Sequence, residues 1–152
     1  MYVSMSEIDL VKILNLDRSL SPGEIDQLLD GLSQEIFFRL ITEKISKLLN
    51  KKDFQNLREK YLTSDDTDAL MNEIKTKWPG INIDLQFTVT SSEVKKEFMI
   101  NYLNDLKEDF KNENINKNAD MLIKELQKEQ IDRDLCFSLK EEIVKNIIDI
   151  NK

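Results

Sequence analysis

Apolar residues recur three or four positions apart along most of this chain, the spacing of one helix face, and only one stretch departs from it. Ile8, Leu10, Val11, Ile13, Leu14 and Leu16 follow Ser6, which predicts a short helix from about Ser6 to Leu16 with Ser6 as its N-cap. The polar run from Asp17 to Glu24 breaks it. Within that run, Ser21, Pro22 and Glu24 have the order of an N-cap, a proline at the first helical position and a capping-box acid. A second helix is therefore predicted to open there and to run as far as Asn50. Gly31 lies inside it, costs about 1 kcal/mol relative to alanine, and marks a place for a kink or a break.

This second helix is apolar on more than one side. At about 100° per residue, Ile25, Leu29, Leu32, Ile36 and Leu40 gather on one face. Phe37, Ile41, Ile45, Leu48 and Leu49 gather on another, more than a quarter turn away. A helix of this kind is either central, packed by different neighbours along its length, or it leaves apolar surface for a partner. Phe37, Phe38 and Ile41 are the candidate interaction residues on it.

Phe54, Leu57, Tyr61 and Leu62 continue the helical spacing. Leu70, Met71, Ile74 and Trp78 form a further stripe behind a Ser64 or Asp65 cap, and Pro79 with Gly80 stops it. From 81 to 90 the pattern changes: Ile81, Ile83, Leu85, Phe87 and Val89 alternate with polar residues, as in a half-buried strand. No other segment offers an evident strand partner, and a lone strand is not stable. Three readings stand: an extended arm over the helices, half of a strand pair between two copies, or a helix whose spacing misleads. The first two make Ile83, Leu85, Phe87 and Val89 candidate interaction residues. From Ser92 the helical stripe returns in Val94, Phe98, Met99, Tyr102, Leu103, Leu106 and Phe110. Met121, Leu122 and Leu126 suggest another helix, and Leu135, Leu139, Ile143, Ile147 and Ile150 a last one. The fold class is mainly α, a bundle of about six to seven helices with one short strand or extended segment near 81–90. Trp78-Pro79-Gly80 is the only candidate boundary, so 1–152 is read as a single helical domain, or as two sub-bundles, 1–78 and 81–152.

Composition adds limits. A chain of 152 residues, 40% hydrophobic and 34% charged, can bury one substantial core. The net charge of −7 argues against a basic face that neutralises phosphates, and so against direct nucleic-acid binding. No stretch approaches the ~18 apolar residues of a membrane span. The start lacks the basic and apolar regions of a secretory signal, and a single cysteine fits a reducing compartment, so the expectation is a cytoplasmic protein.

The chain has no histidine, which removes the commonest general base and metal ligand. Cys136 stands in an apolar context that suits a buried small side chain rather than a nucleophile. Three glycines, at 23, 31 and 80, make no phosphate loop. Asn114, Asn116, Asn118 and Glu125 occupy positions one, three, five and twelve of an EF-hand-like spacing. Position one lacks the usual Asp and position six is Ala119 rather than glycine, so calcium binding is a poor fit. No catalytic, cofactor-binding or metal residue is assigned, and the protein is not expected to be an enzyme.

Ile36, Arg39-Leu40, Ile45 and Leu48, then Asp53-Phe54 and Leu57, the acidic start at Asp65-Asp66, and Leu70, Ile74 and Pro79 follow one another in an order that resembles a family of small, acidic, all-helical bacterial proteins known only by a domain-of-unknown-function label. The likeness runs from Leu10 to Ile81. It implies a helical fold and brings no activity or site residues. The expected role is a protein–protein interaction module, an adaptor, assembly factor or inhibitor whose partner is another protein or a second copy. The alternatives are an acidic mimic of nucleic acid that blocks a basic surface, and a degenerate calcium binder.

Overall fold

The computed structural model describes residues 1–64 and 66–152; Asp65, one of the two expected caps, lies outside the described residues. The described chain is mainly helical, with eight helices, six of them at least seven residues long, and a two-stranded antiparallel sheet. It forms two compact units. Unit 1 comprises residues 1–27 and 95–152, and unit 2 comprises Leu28–Val94. Neither boundary falls at Trp78-Pro79-Gly80, the expected division between 1–78 and 81–152. That turn joins two helices of the same core, where Leu70, Ile74 and Ile83 pack together with Trp78 and Ile81 against them.

In unit 1, strand β1 (Tyr2–Val3) pairs with β2 (Ile131–Asp132), with Val3 opposite Ile131 and both buried. The helix expected from Ser6 to Leu16 is three pieces: a 3-10 turn at Met5–Glu7, α1 (Leu10–Ile13) and α2 (Leu16–Ser19). Ser6 is not a cap. Asp9 caps α1, its carboxylate accepting from the Val11 and Lys12 amides, and Asn15 stops it by taking a left-handed conformation with φ of 58°. The apolar spacing was sound, since Ile8, Leu10, Ile13, Leu14 and Leu16 are all buried. What the spacing does not show is that the Asp9 carboxylate bonds the following amides and that Asn15 takes the left-handed backbone. Later in the chain, α7 (Glu113–Leu126) and α8 (Arg133–Ile150) pack along one another through Ile115, Ala119, Leu122 and Leu126 on one side and Cys136, Leu139 and Ile143 on the other. Asn112 caps the first and Asp132 the second.

The chain enters unit 2 within α3 (Pro22–Arg39), which opens on the expected capping box. The Ser21 amide donates to Glu24, 3.1 Å, and the Glu24 amide to the Ser21 hydroxyl, 3.2 Å. Gly31 does not interrupt it. The irregularity comes later: Leu40–Ile45 is a π-helical segment, in which the Ser46 amide reaches back five residues to the Ile41 carbonyl, and one more α turn, Ser46–Leu48, completes the helix. Then follow α4 (Lys51–Tyr61), capped by Asn50, and α5 (Thr67–Lys77), capped by Asp66. Tyr61 donates its hydroxyl to the Ala69 carbonyl, and Glu73 on α5 is ion-paired to Lys60 on α4 at 2.6 Å and to Lys77 at 3.2 Å.

The stretch 81–90 is not a strand. It is the first part of α6 (Ile83–Phe110), whose opening turn is held by the Leu85 amide donating to the Asn82 side chain. Ile83, Thr90 and Val94 are buried and Phe87 packs on the unit 2 core, a four-three-four spacing inside the alternation. Leu85 and Val89 face outwards, 53% and 39% exposed. The hydroxyls of Thr88 and Thr90 donate to the carbonyls four residues back, which accommodates β-branched residues within a helix.

Candidate interaction cleft

The π-helical segment answers why Ile36 to Leu49 carries so much apolar surface. In a regular α-helix, residues four apart are rotated by about 40° from one another, so Phe37, Ile41 and Ile45 would drift off a common face. The wider i to i+5 turn cancels that drift. Phe37, Leu40, Ile41 and Ile45 consequently enter one core with Leu57, Tyr61, Leu70, Ile74 and Ile83. Phe38 remains outside it, 54% exposed.

Beside this segment lies an open cleft of about 590 Å³. Its helical wall is the face of Gly31, Gln34, Phe38, Ile41 and Thr42, about 16 Å of helix at 1.5 Å per residue. The opposite wall is Leu62, Thr63 and Ser64, which follow α4, and Leu62 is 50% exposed. The polar groups at the rim are largely engaged. The Thr42 hydroxyl donates to the Phe38 carbonyl at 2.8 Å, the Ser64 hydroxyl accepts from the Asp66 amide at 3.1 Å, and Arg39 Nε donates to Glu35 at 2.7 Å. The cleft therefore offers two exposed apolar side chains beside three polar ones, Glu35, Thr42 and Ser64, that already have partners.

The structure sorts the candidate residues into two sets. Phe37, Ile41 and Ile83 are 6%, 2% and 1% exposed, and Phe87 packs on the same core, so these four build unit 2 and are not its surface. Phe38, Leu85 and Val89 are exposed, but only Phe38 lines the cleft. Sequence reasoning placed Leu62 on a helix stripe and missed it as a cleft residue. The signal was its rotation of about 100° from the buried Tyr61, which turns it off the core face.

The EF-hand spacing has no loop. Asn114, Asn116, Asn118 and Glu125 lie on α7, and Ala119, at the position where the calcium loop must turn, is a fully buried helical residue. Glu125 is occupied otherwise: buried, it accepts the Asp132 amide at 2.7 Å and the Lys128 ammonium at 2.8 Å, which hold it below the ordinary carboxylate range. Among the described residues no three His, Cys, Asp or Glu side chains stand close enough to hold a metal. Burial pushes the Cys136 thiol up to about 12, with Glu125 and Asp132 adding to the effect, so it is neutral and inert at physiological pH.

Comparison with family models, with curated proteins and with solved structures gives no match. None of the three supports the resemblance noted above. No helix among the described residues is long and apolar enough to cross a membrane.

Proposed function

We propose that this protein is an interaction module that binds another polypeptide through the Phe38 cleft, with no catalytic residue and no cofactor. One observation carries the reading: Phe38 and Leu62, each about half exposed, line a single cleft of about 590 Å³ in which Glu35, Thr42 and Ser64 are already hydrogen-bonded. Exposed aromatic and aliphatic side chains surrounded by engaged polar groups are what the centre of an interface requires, because desolvating them costs little and their contact area is large. The cleft runs about three helical turns, long enough for a partner helix or a short extended segment.

A photo-crosslinking side chain placed at position 38 in the native host tests the reading, with the same group at the exposed Leu85 as control. A discrete protein adduct from position 38, absent from position 85 and surviving about 0.5 M salt, supports apolar docking in the cleft, since screening weakens exposed charge contacts first. Equal or no adducts from the two positions overturn it, and adducts that vanish in salt favour the acidic-mimic alternative.

A further inference from the structure

We propose that the occupant of the cleft is a second copy of this chain, docked through the basic corner where α3 ends and α4 begins. This rests on the reading of the cleft as a polypeptide-binding site and adds the identity of the partner. The carboxylates of the cleft side come first. A second, adjoining hollow shares Gln34 and Phe37 with it and is lined further by Asp30 and Thr67. Among the described residues that line either hollow there is no lysine or arginine. Glu35 is paired with Arg39 and Asp66 caps α5, so among the described residues the carboxylates left for a partner here are Asp30, which lines the hollow, and Asp68, next to Thr67.

The same unit carries the opposite pattern elsewhere. Leu48 is 44% exposed and is bracketed by Lys47, Lys51 and Lys52, all exposed and without an ion-pair partner among the described residues. Lys51 and Lys52 are the first two residues of α4, where the positive end of the helix dipole disfavours cations. Asp53 in the same turn and the Asn50 cap answer the helix end itself, while the three ammonium groups stay without an ion-pair partner among the described residues. Acids supplied from outside would pair with them.

The two surfaces match in kind: an apolar hollow with unpaired carboxylates, and an apolar knob with unpaired ammonium groups. They cannot meet within one molecule, because the helix that ends at Leu48 also carries Phe38, about 15 Å away along its axis. A second copy can bring its Leu48 between Phe38 and Leu62 and its lysines towards Asp30 and Asp68. In a two-fold pair the contact would be made twice.

Charge-swapped variants test this by sedimentation, with circular dichroism verifying that each folds. One variant carries Asp30→Lys and Asp68→Lys, the other Lys47→Glu and Lys51→Glu. The wild type is expected to self-associate at micromolar concentration. Each variant alone is expected to associate at least about tenfold more weakly, since like charges then oppose one another in both contacts. An equimolar mixture is expected to recover, since the reversed cleft of one meets the reversed corner of the other. A wild type that sediments as a monomer at every concentration, variants that associate as well as the wild type, or a mixture that does not recover would each overturn the proposal. If the wild type is monomeric while position 38 still captures a different protein, the second-copy proposal falls and the module reading stands; if position 38 captures nothing, both fall.

Discussion

Glu125 and Phe38 are the two residues whose surroundings say most about this protein. Glu125 is a buried carboxylate that takes the Lys128 ammonium and the Asp132 amide, and so braces the turn leading into β2 and α8. Both partners favour its charged form and lower its folded pKa. A group lowered in this way stabilises the fold above its unfolded value of about 4.3, and that contribution disappears as pH falls through the folded value. Glu125→Gln keeps an acceptor for the amide but discards the charge. Its melting temperature should therefore vary less than that of the wild type between about pH 5 and about pH 3. Glu125→Ala leaves the Asp132 amide without its acceptor and should cost about 1–3 kcal/mol at neutral pH in a denaturant titration. A variant as stable as the wild type would show that the brace contributes nothing.

At the scale of elements, the informative segments are the start of α6 and the π-helical turn after α3. Alternation at 81–90 suggested one apolar face made of Ile83, Leu85, Phe87 and Val89, and the helix divides that set in two. Leu85→Lys should change stability by less than about 0.5 kcal/mol, because the side chain is 53% exposed. Phe87→Ala should cost about 2–3 kcal/mol, because it vacates contacts on the unit 2 core. Equal losses at the two positions, read from thermal melts, would contradict the helical assignment. The π-helical turn was not legible at all. The sequence showed surplus apolar residues on two faces of a presumed α-helix, and the structure resolves the surplus by changing the pitch. The carbonyls of Phe38 and Thr42 also accept from the Thr42 and Ser46 hydroxyls, at 2.8 and 2.6 Å, bonds that read in sequence as two ordinary polar residues.

For the whole molecule, the division into units 1–27 with 95–152 and 28–94 means that the chain leaves one unit inside α3 and returns inside α6. Each unit has buried residues of its own. Ile74, 1% exposed, lies in the unit 2 core, and Ile74→Ala should cost about 2–5 kcal/mol there. Hydrogen exchange should then speed up first at the buried helical amides of α4 and α5, with those of α7 and α8 less affected, because local opening follows the contacts that are lost. Uniform acceleration along the chain would indicate a single cooperative unit instead.

Sequence alone determined the helical class, the capping box at Ser21 and Glu24, the buried pairs Leu57 and Tyr61, Leu70 and Ile74, and Leu139 and Ile143 within their stripes, and the poor fit to calcium chemistry. These rest on periodicity, on side chains that bond the nearest backbone amides, and on which residue types are present, all of which are local. It also showed two apolar faces around Phe37, Phe38 and Ile41. Tertiary structure decided which of the three stays exposed, because that depends on the pitch of the π-helical segment. It decided that Ile81 to Val89 belong to a helix, because Ile83 and Phe87 gain a core to pack on only when the chain coils. It also placed the unit boundaries within helices rather than at a proline-glycine turn, because a unit is defined by which side chains meet in space, and Leu70 and Ile83 meet across that turn.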